Sequence, residues 1–164
     1  TSVEASGVYD LRGCARHPIH EHARVQTFRS LLHAKASEGQ LCLLGELMFQ
    51  SHASYSSVGL GSGATDQIVQ LVRSLGPQSG LYGAKITGGG SGGTVCVLGA
   101  STPQAEASLQ SVLAAYTALS GHTPHVFRGS SLGAVAFGSI SVDLAKGGGQ
   151  LAQAAGASGA AAGG

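Results

Sequence analysis

Residues 84–98 read AKITGGGSGGTVCVL, five glycines in the six positions 88–93 followed by β-branched residues. Gly88, Gly90 and Gly93 match the dinucleotide-binding pattern G-x-G-x-x-G, and Gly88 and Gly93 also have the glycine spacing of a P-loop. The flanking residues reject both readings. A dinucleotide fingerprint needs a helix after the glycine turn, because the pyrophosphate rests on the helix N-terminus. Here Thr94-Val95-Cys96-Val97 favours a strand, and Ser111, Val112 and Leu113 stand where an acidic residue is required. A P-loop needs lysine directly after its last glycine; Thr94 is there, and Lys85 precedes the loop. Strand, glycine loop, strand is what remains. A tight hairpin turn takes one or two glycines, fewer than this loop has. Such density lets a ligand or a second backbone approach the main chain, and exposed amides then form an anion-binding concavity. The competing explanation is a long hairpin connection whose glycines serve geometry alone.

On the amino-terminal side, residues 1–16 read as an irregular lead-in. A helix is predicted after Pro18 to about Ala36, with Ala23, Val25, Phe28, Leu32 and Ala36 on one face. A second follows from about Gln40 to His52, then a Gly/Ser loop, SSVGLGSGA at 56–64, then a third helix over Thr65–Leu75. Tyr82, Ala84 and Ile86 alternate as in a strand, and Thr94–Leu98 reads as a buried strand. Beyond it, Thr102 is an N-cap with Pro103 at the first helical position, and Gly121 suits the C′ site. Two short strands, His125–Arg128 and about Ala134–Val142, are predicted to close the domain. This order predicts an α+β fold, one antiparallel sheet with helices packed on one face. The domain occupies residues 1–146. From Gly147 onward, 14 of 18 residues are Gly or Ala, so 147–164 is predicted to be a disordered tail with little to bury.

Composition narrows the function classes. The 164 residues suffice for one domain with a real core. A net charge of +1 with 10% charged residues offers no electrostatic stripe for nucleic acid. The longest apolar runs fall far short of a membrane span, and no secretory signal pattern opens the chain. Three cysteines, Cys14, Cys42 and Cys96, are an odd set that suits reduced thiols in the cytoplasm. Cys42 and Cys96 fall on apolar patterns and read as core.

Other chemistry-bearing side chains have bland readings beside sharp ones. His17, His20 and His22 with Glu21 invite a metal, but His20 and His22 are two apart on a helix and share no face; surface histidines are the simpler expectation. Arg16 and Glu21 are expected to pair. His52 either points into a cleft or is a satisfied structural histidine. Asp66 reads as a charge in the first turn of its helix. Lys85 either snorkels at a strand end or reaches a phosphate.

The wording of several blocks adds a resemblance. GAKITGGGSGGTVCVL is similar to the third conserved motif of the GHMP sugar kinases. ARHPIHEHARV resembles the R-H…E…R segment that opens that superfamily's carboxyl-terminal domain, through Arg16, His17, Glu21 and Arg24. LMFQSHASYSSVGLGSGATDQIVQLV resembles its M-x-x-S-H-x-S…D stretch, through Met48, Ser51, His52, Ser54 and Asp66. The match runs over roughly residues 8–142 and is nearest the plant-type L-arabinokinase branch, then the galactokinases. The family's P-x-x-x-G-L-S-S-S-A phosphate loop and catalytic carboxylate, which belong to an amino-terminal domain, have no counterpart here.

The resemblance implies the carboxyl-terminal half of an enzyme that transfers phosphate from ATP, with Mg, to the anomeric hydroxyl of L-arabinose or galactose. The chain is then a fragment whose partner is the amino-terminal kinase domain, and no catalytic residue lies in it. Thr87, Gly88, Gly89, Gly90, Ser91, Gly92 and Gly93 would face phosphate and sugar, with Lys85 and His52 as further contacts and no metal ligands. The alternative is a stand-alone, non-catalytic binding module that kept the glycine loop.

Overall fold

A computed structural model describes residues 6–88, 93–129 and 133–139. Gly89, Gly90, Ser91 and Gly92 of the loop, residues 140–142 of the last predicted strand and the predicted tail at 147–164 lie outside them. The chain divides into two units, one ending at Pro124 and one beginning at His125.

In the first unit, three helices precede the strands. The first, α1 (Leu11–Leu32), starts well before Pro18, because Asp10 Oδ1 accepts the Gly13 N–H at 2.8 Å and caps it. Pro18 lies inside this helix. Reading it as a boundary therefore misplaces the start, since residues 11–16 are helical; separately, the helix stops at Leu32 rather than Ala36. Proline removes one backbone donor, and a long helix with a good cap tolerates that loss.

Next, α2 (Glu38–Ser57) is capped by Ser37, which accepts from the Gln40 amide, and exceeds its predicted span at both ends. Ser62 caps α3 (Gly63–Leu75) in the same way, so the predicted 56–64 loop contracts to 58–62. A 3₁₀ turn at Pro77–Ser79 then leads into the sheet.

The sheet pairs β1 (Leu81–Ile86) with β2 (Val95–Gly99) antiparallel. Leu81 faces Gly99 and Gly83 faces Leu98, so Tyr82 is an extra residue in a bulge. That extra residue puts Leu81 rather than Tyr82 on the buried face with Ala84 and Ile86. The expected burial of the second strand does not hold. Val95, Val97 and Leu98 are half-buried, and Cys96 is exposed rather than core. Cys42 is only partly buried. Valine content signals strand, but burial depends on what covers each face, and β2 has one neighbour among the described residues.

Helix α4 (Pro103–Ser120) has the predicted ends: Thr102 accepts from the Ala105 amide, Pro103 opens the helix, and Gly121 ends it at φ 73°. Phe49, Val69, Val72, Leu81, Ala84, Ala105 and Val112 form the core, so α3 and α4 cover one face of the sheet while α2 adds Phe49. This is an α+β architecture with helices packed on an antiparallel sheet. In the second unit, His125–Arg128 has no regular structure, and Ala134–Phe137 is a short helix, α5, where strands were predicted. β-propensity acts through a partner strand, and none pairs with these residues among those described.

Backbone contact between α2 and β1 sets the helix position. A Cβ built on Gly45 would meet the Tyr82 carbonyl oxygen, and one on Gly83 would meet the Gly45 Cα. No side chain fits at either position. Gly45→Ala is expected to cost about 3 kcal/mol in urea unfolding, the upper end for overpacking. Gly39→Ala, on the same helix with its nearest neighbouring atom 4.0 Å away, should be neutral or stabilising by up to about 1 kcal/mol. Equal effects of the two substitutions would refute the close-packing account.

Candidate functional site

The loop emerges where β1 ends and β2 begins. Thr87 donates its N–H to the Thr94 carbonyl at 3.0 Å, one rung beyond the strands. Gly88 and Gly93 have φ of 83° and 118°, a region that side-chain-bearing residues rarely adopt. A Cβ on either would meet nothing within 4 Å. Conformation, not space, therefore demands glycine at these two ends. Thr87, Gly88 and Gly93 are exposed.

Behind the loop, a partly buried polar relay fixes the end of β1. Backbone donors alternate between the two edges of a strand, so with Thr87 bonded to β2 the Ile86 N–H points the other way. His52 Nδ1 accepts it at 3.2 Å. An accepting Nδ1 places the ring proton on Nε2, which faces Asp66 Oδ1 at 3.0 Å. The Ser56 hydroxyl donates to the same Asp66 oxygen at 2.9 Å. Both ring nitrogens of His52 are thus engaged inside the fold, and the residue is 7% exposed. Asp66 lies in the first turn of α3, as read from sequence, but its bond to His52 left no sequence signal. The relay joins α2, α3 and β1.

A second polar cluster joins α1 to α2. Glu21 pairs with Arg24 at 2.6 Å, one turn along the same helix, rather than with Arg16 as expected. The Ser51 hydroxyl donates to its other oxygen at 2.5 Å. Burial pushes the Glu21 carboxyl up. The Ser51 hydroxyl, the bond and charge of Arg24, and the charge of Lys85 outweigh it and hold the group below its ordinary value. Lys85 projects from the sheet face opposite Ala84 and Ile86 and is half-buried. His17 is not a free surface histidine either: its Nδ1 lies 2.8 Å from Ser54 Oγ, and its ring meets Tyr55 edge-on. His20 and His22 are exposed. No group of three metal-ligating side chains occurs among the described residues.

Two outcomes follow from this geometry. His52→Ala should cost about 2 kcal/mol through an unsatisfied buried amide and should abolish hydrogen-exchange protection at Ile86; persistent protection there would contradict the relay. A carboxyl whose value is depressed on folding contributes stability above its unfolded value of about 4.5 and loses it as pH falls through the lower folded value. The stability gap between the native chain and Glu21→Gln should therefore be constant near neutral pH and shrink below about 4.5. A gap that widens on acidification would overturn the cluster's role.

Residues 30–118 match the family model described as GHMP kinases C terminal. An L-arabinokinase from Arabidopsis thaliana is 43% identical over 148 residues, which make up 87% of this chain and 14% of that protein. The chain thus spans about one-seventh of the length of this curated relative. The matched segment runs from the end of α1 into α4 and takes in the relay, both strands and the loop between them. On a match of that extent, the chain belongs to the GHMP kinase family, whose carboxyl-terminal domain it carries.

Proposed function

We propose that this chain serves as the carboxyl-terminal domain of an ATP-dependent sugar 1-kinase of the cytoplasm, phosphorylating L-arabinose in preference to galactose. The observation that carries the proposal is the 43% identity to a protein named L-arabinokinase, extending over 87% of the chain. Phosphoryl transfer is mostly positioning and stabilisation of charge on the transferred group. In this reading, the amides of residues 88–93 and the hydroxyls of Thr87 and Ser91 donate to phosphate oxygens. The described residues offer no cluster to hold Mg. Its ligands, the main phosphate loop and the catalytic carboxylate are assigned to the remainder of a longer protein, with which this domain shares the cleft.

The test uses that longer protein and sugar-dependent ADP release with L-arabinose, galactose and other aldoses. L-Arabinose should give the highest kcat/KM. Gly93→Val introduces a β-branched residue at φ 118° and crowds the ligand side of the loop. Turnover should fall roughly 100-fold, the scale of losing one amide donor to a developing charge. The core is remote from the change, so the variant should still fold, with a loss of about 1–3 kcal/mol from the strained backbone. A folded variant with near-native turnover would reduce the glycines to a geometric role. The isolated 164-residue chain should show no sugar-dependent ATP consumption above a mock preparation.

A further inference from the structure

The sheet face turned away from the core is not bare. Side chains alternate across a strand, so Lys85 and its partner Cys96 share this face with Leu98, the partner of Gly83. Val25 and Phe28 of α1 and Leu47 and Met48 of α2 wall it in, leaving a cavity of about 320 Å³. That volume is at the lower end of small-molecule pockets, roughly 300–1,000 Å³.

The polar part of the lining is one contiguous cluster. Ser51 and Arg24 are bonded to Glu21, and Lys85 acts on Glu21 through its charge. Two cations stand against one carboxylate, an excess of one positive charge. Arg24 is held by Glu21 through Nη1. Lys85 is half-buried, and its side chain has no hydrogen bond or ion pair among the described residues. A partly desolvated ammonium beside apolar walls attracts an anion and favours an apolar body behind it. A docked peptide would bring polar backbone to these apolar walls, whereas an open groove of this volume with one excess charge suits a small molecule.

We propose that this groove binds a small amphiphile, a medium-chain molecule with a single carboxylate that meets Lys85 and an apolar body that lies along Phe28, Met48 and Leu98. The proposal does not depend on the kinase reading, and loss of either leaves the other standing.

Decanoate, kept below its micelle concentration, is the probe. Titration calorimetry on the 164-residue chain should show saturable one-to-one binding. Decanol, with the same body and no charge, should bind at least tenfold more weakly. Lys85→Met should weaken decanoate at least tenfold and leave decanol unchanged, and Leu98→Trp should weaken both by filling the groove. Amide chemical-shift changes on the native chain should centre on Val25, Phe28 and Leu98. Absence of saturable binding, equal affinity for the two probes, or shifts centred elsewhere would overturn the proposal. If Lys85→Met fails to melt cooperatively, the two probes and the shift map on the native chain still decide it.

Discussion

A two-stranded sheet leaves each strand with one unpaired edge, and buried backbone groups on such an edge are costly unless something pairs with them. Among the described residues β1 pairs with β2 alone, and α2 packs against β1 at backbone distance. Gly45 and Gly83 permit the approach because neither carries a Cβ. Closeness of that order brings His52, two turns along α2 from Gly45, within reach of the Ile86 amide. The contact between α2 and β1 thus positions both the core and the polar relay. Phe49, on the same helix, reaches the core made by α3, α4 and the sheet.

The relay bears on the loop through its ends. A glycine-rich segment has much conformational freedom to lose, and fixed anchors reduce the part lost when a ligand arrives. Ile86 is held by His52 and Thr87 by Thr94, so the loop leaves β1 from a fixed rung and rejoins β2 at the opposite one. A phosphate site of the kind proposed needs that order, because catalytic donors act best when they need not reorganise.

Helix α1 is attached by different means. None of its residues is fully buried, and Leu11, Ile19, Val25 and Leu32 are exposed. Its links to α2 are largely polar: His17 to Ser54, Glu21 to Ser51, and the Gln40 side chain to the Leu31 carbonyl. Bonds of this type fix the register of one helix against another more than they add net stability. They also keep α1 at the distance that leaves the groove open between it and the sheet.

Local features were legible in the sequence. Thr102, Pro103 and Gly121 act within one turn of their own backbone, so α4 was read with both ends in place. The β-branched residues after the glycine loop identified strand–loop–strand for the same reason, and the family motifs were unbroken strings. Pro18 misled because a local preference was overridden by a helix long enough to absorb it. Other features required tertiary structure. Cys96 and the valines of β2 are strand residues by composition, yet their exposure depends on what lies across the sheet. The residues from His125 had strand composition without a partner strand among those described. Glu21 met Ser51, and His52 met Asp66 and the Ile86 amide, because folding brought together groups 14 to 34 residues apart; Arg24, one turn along α1 from Glu21, is a local partner. Caps and periodicities act over one or two turns, so sequence determined the elements and their motifs. Burial and polar partnership depend on neighbours distant in the chain, so only the tertiary structure decided them.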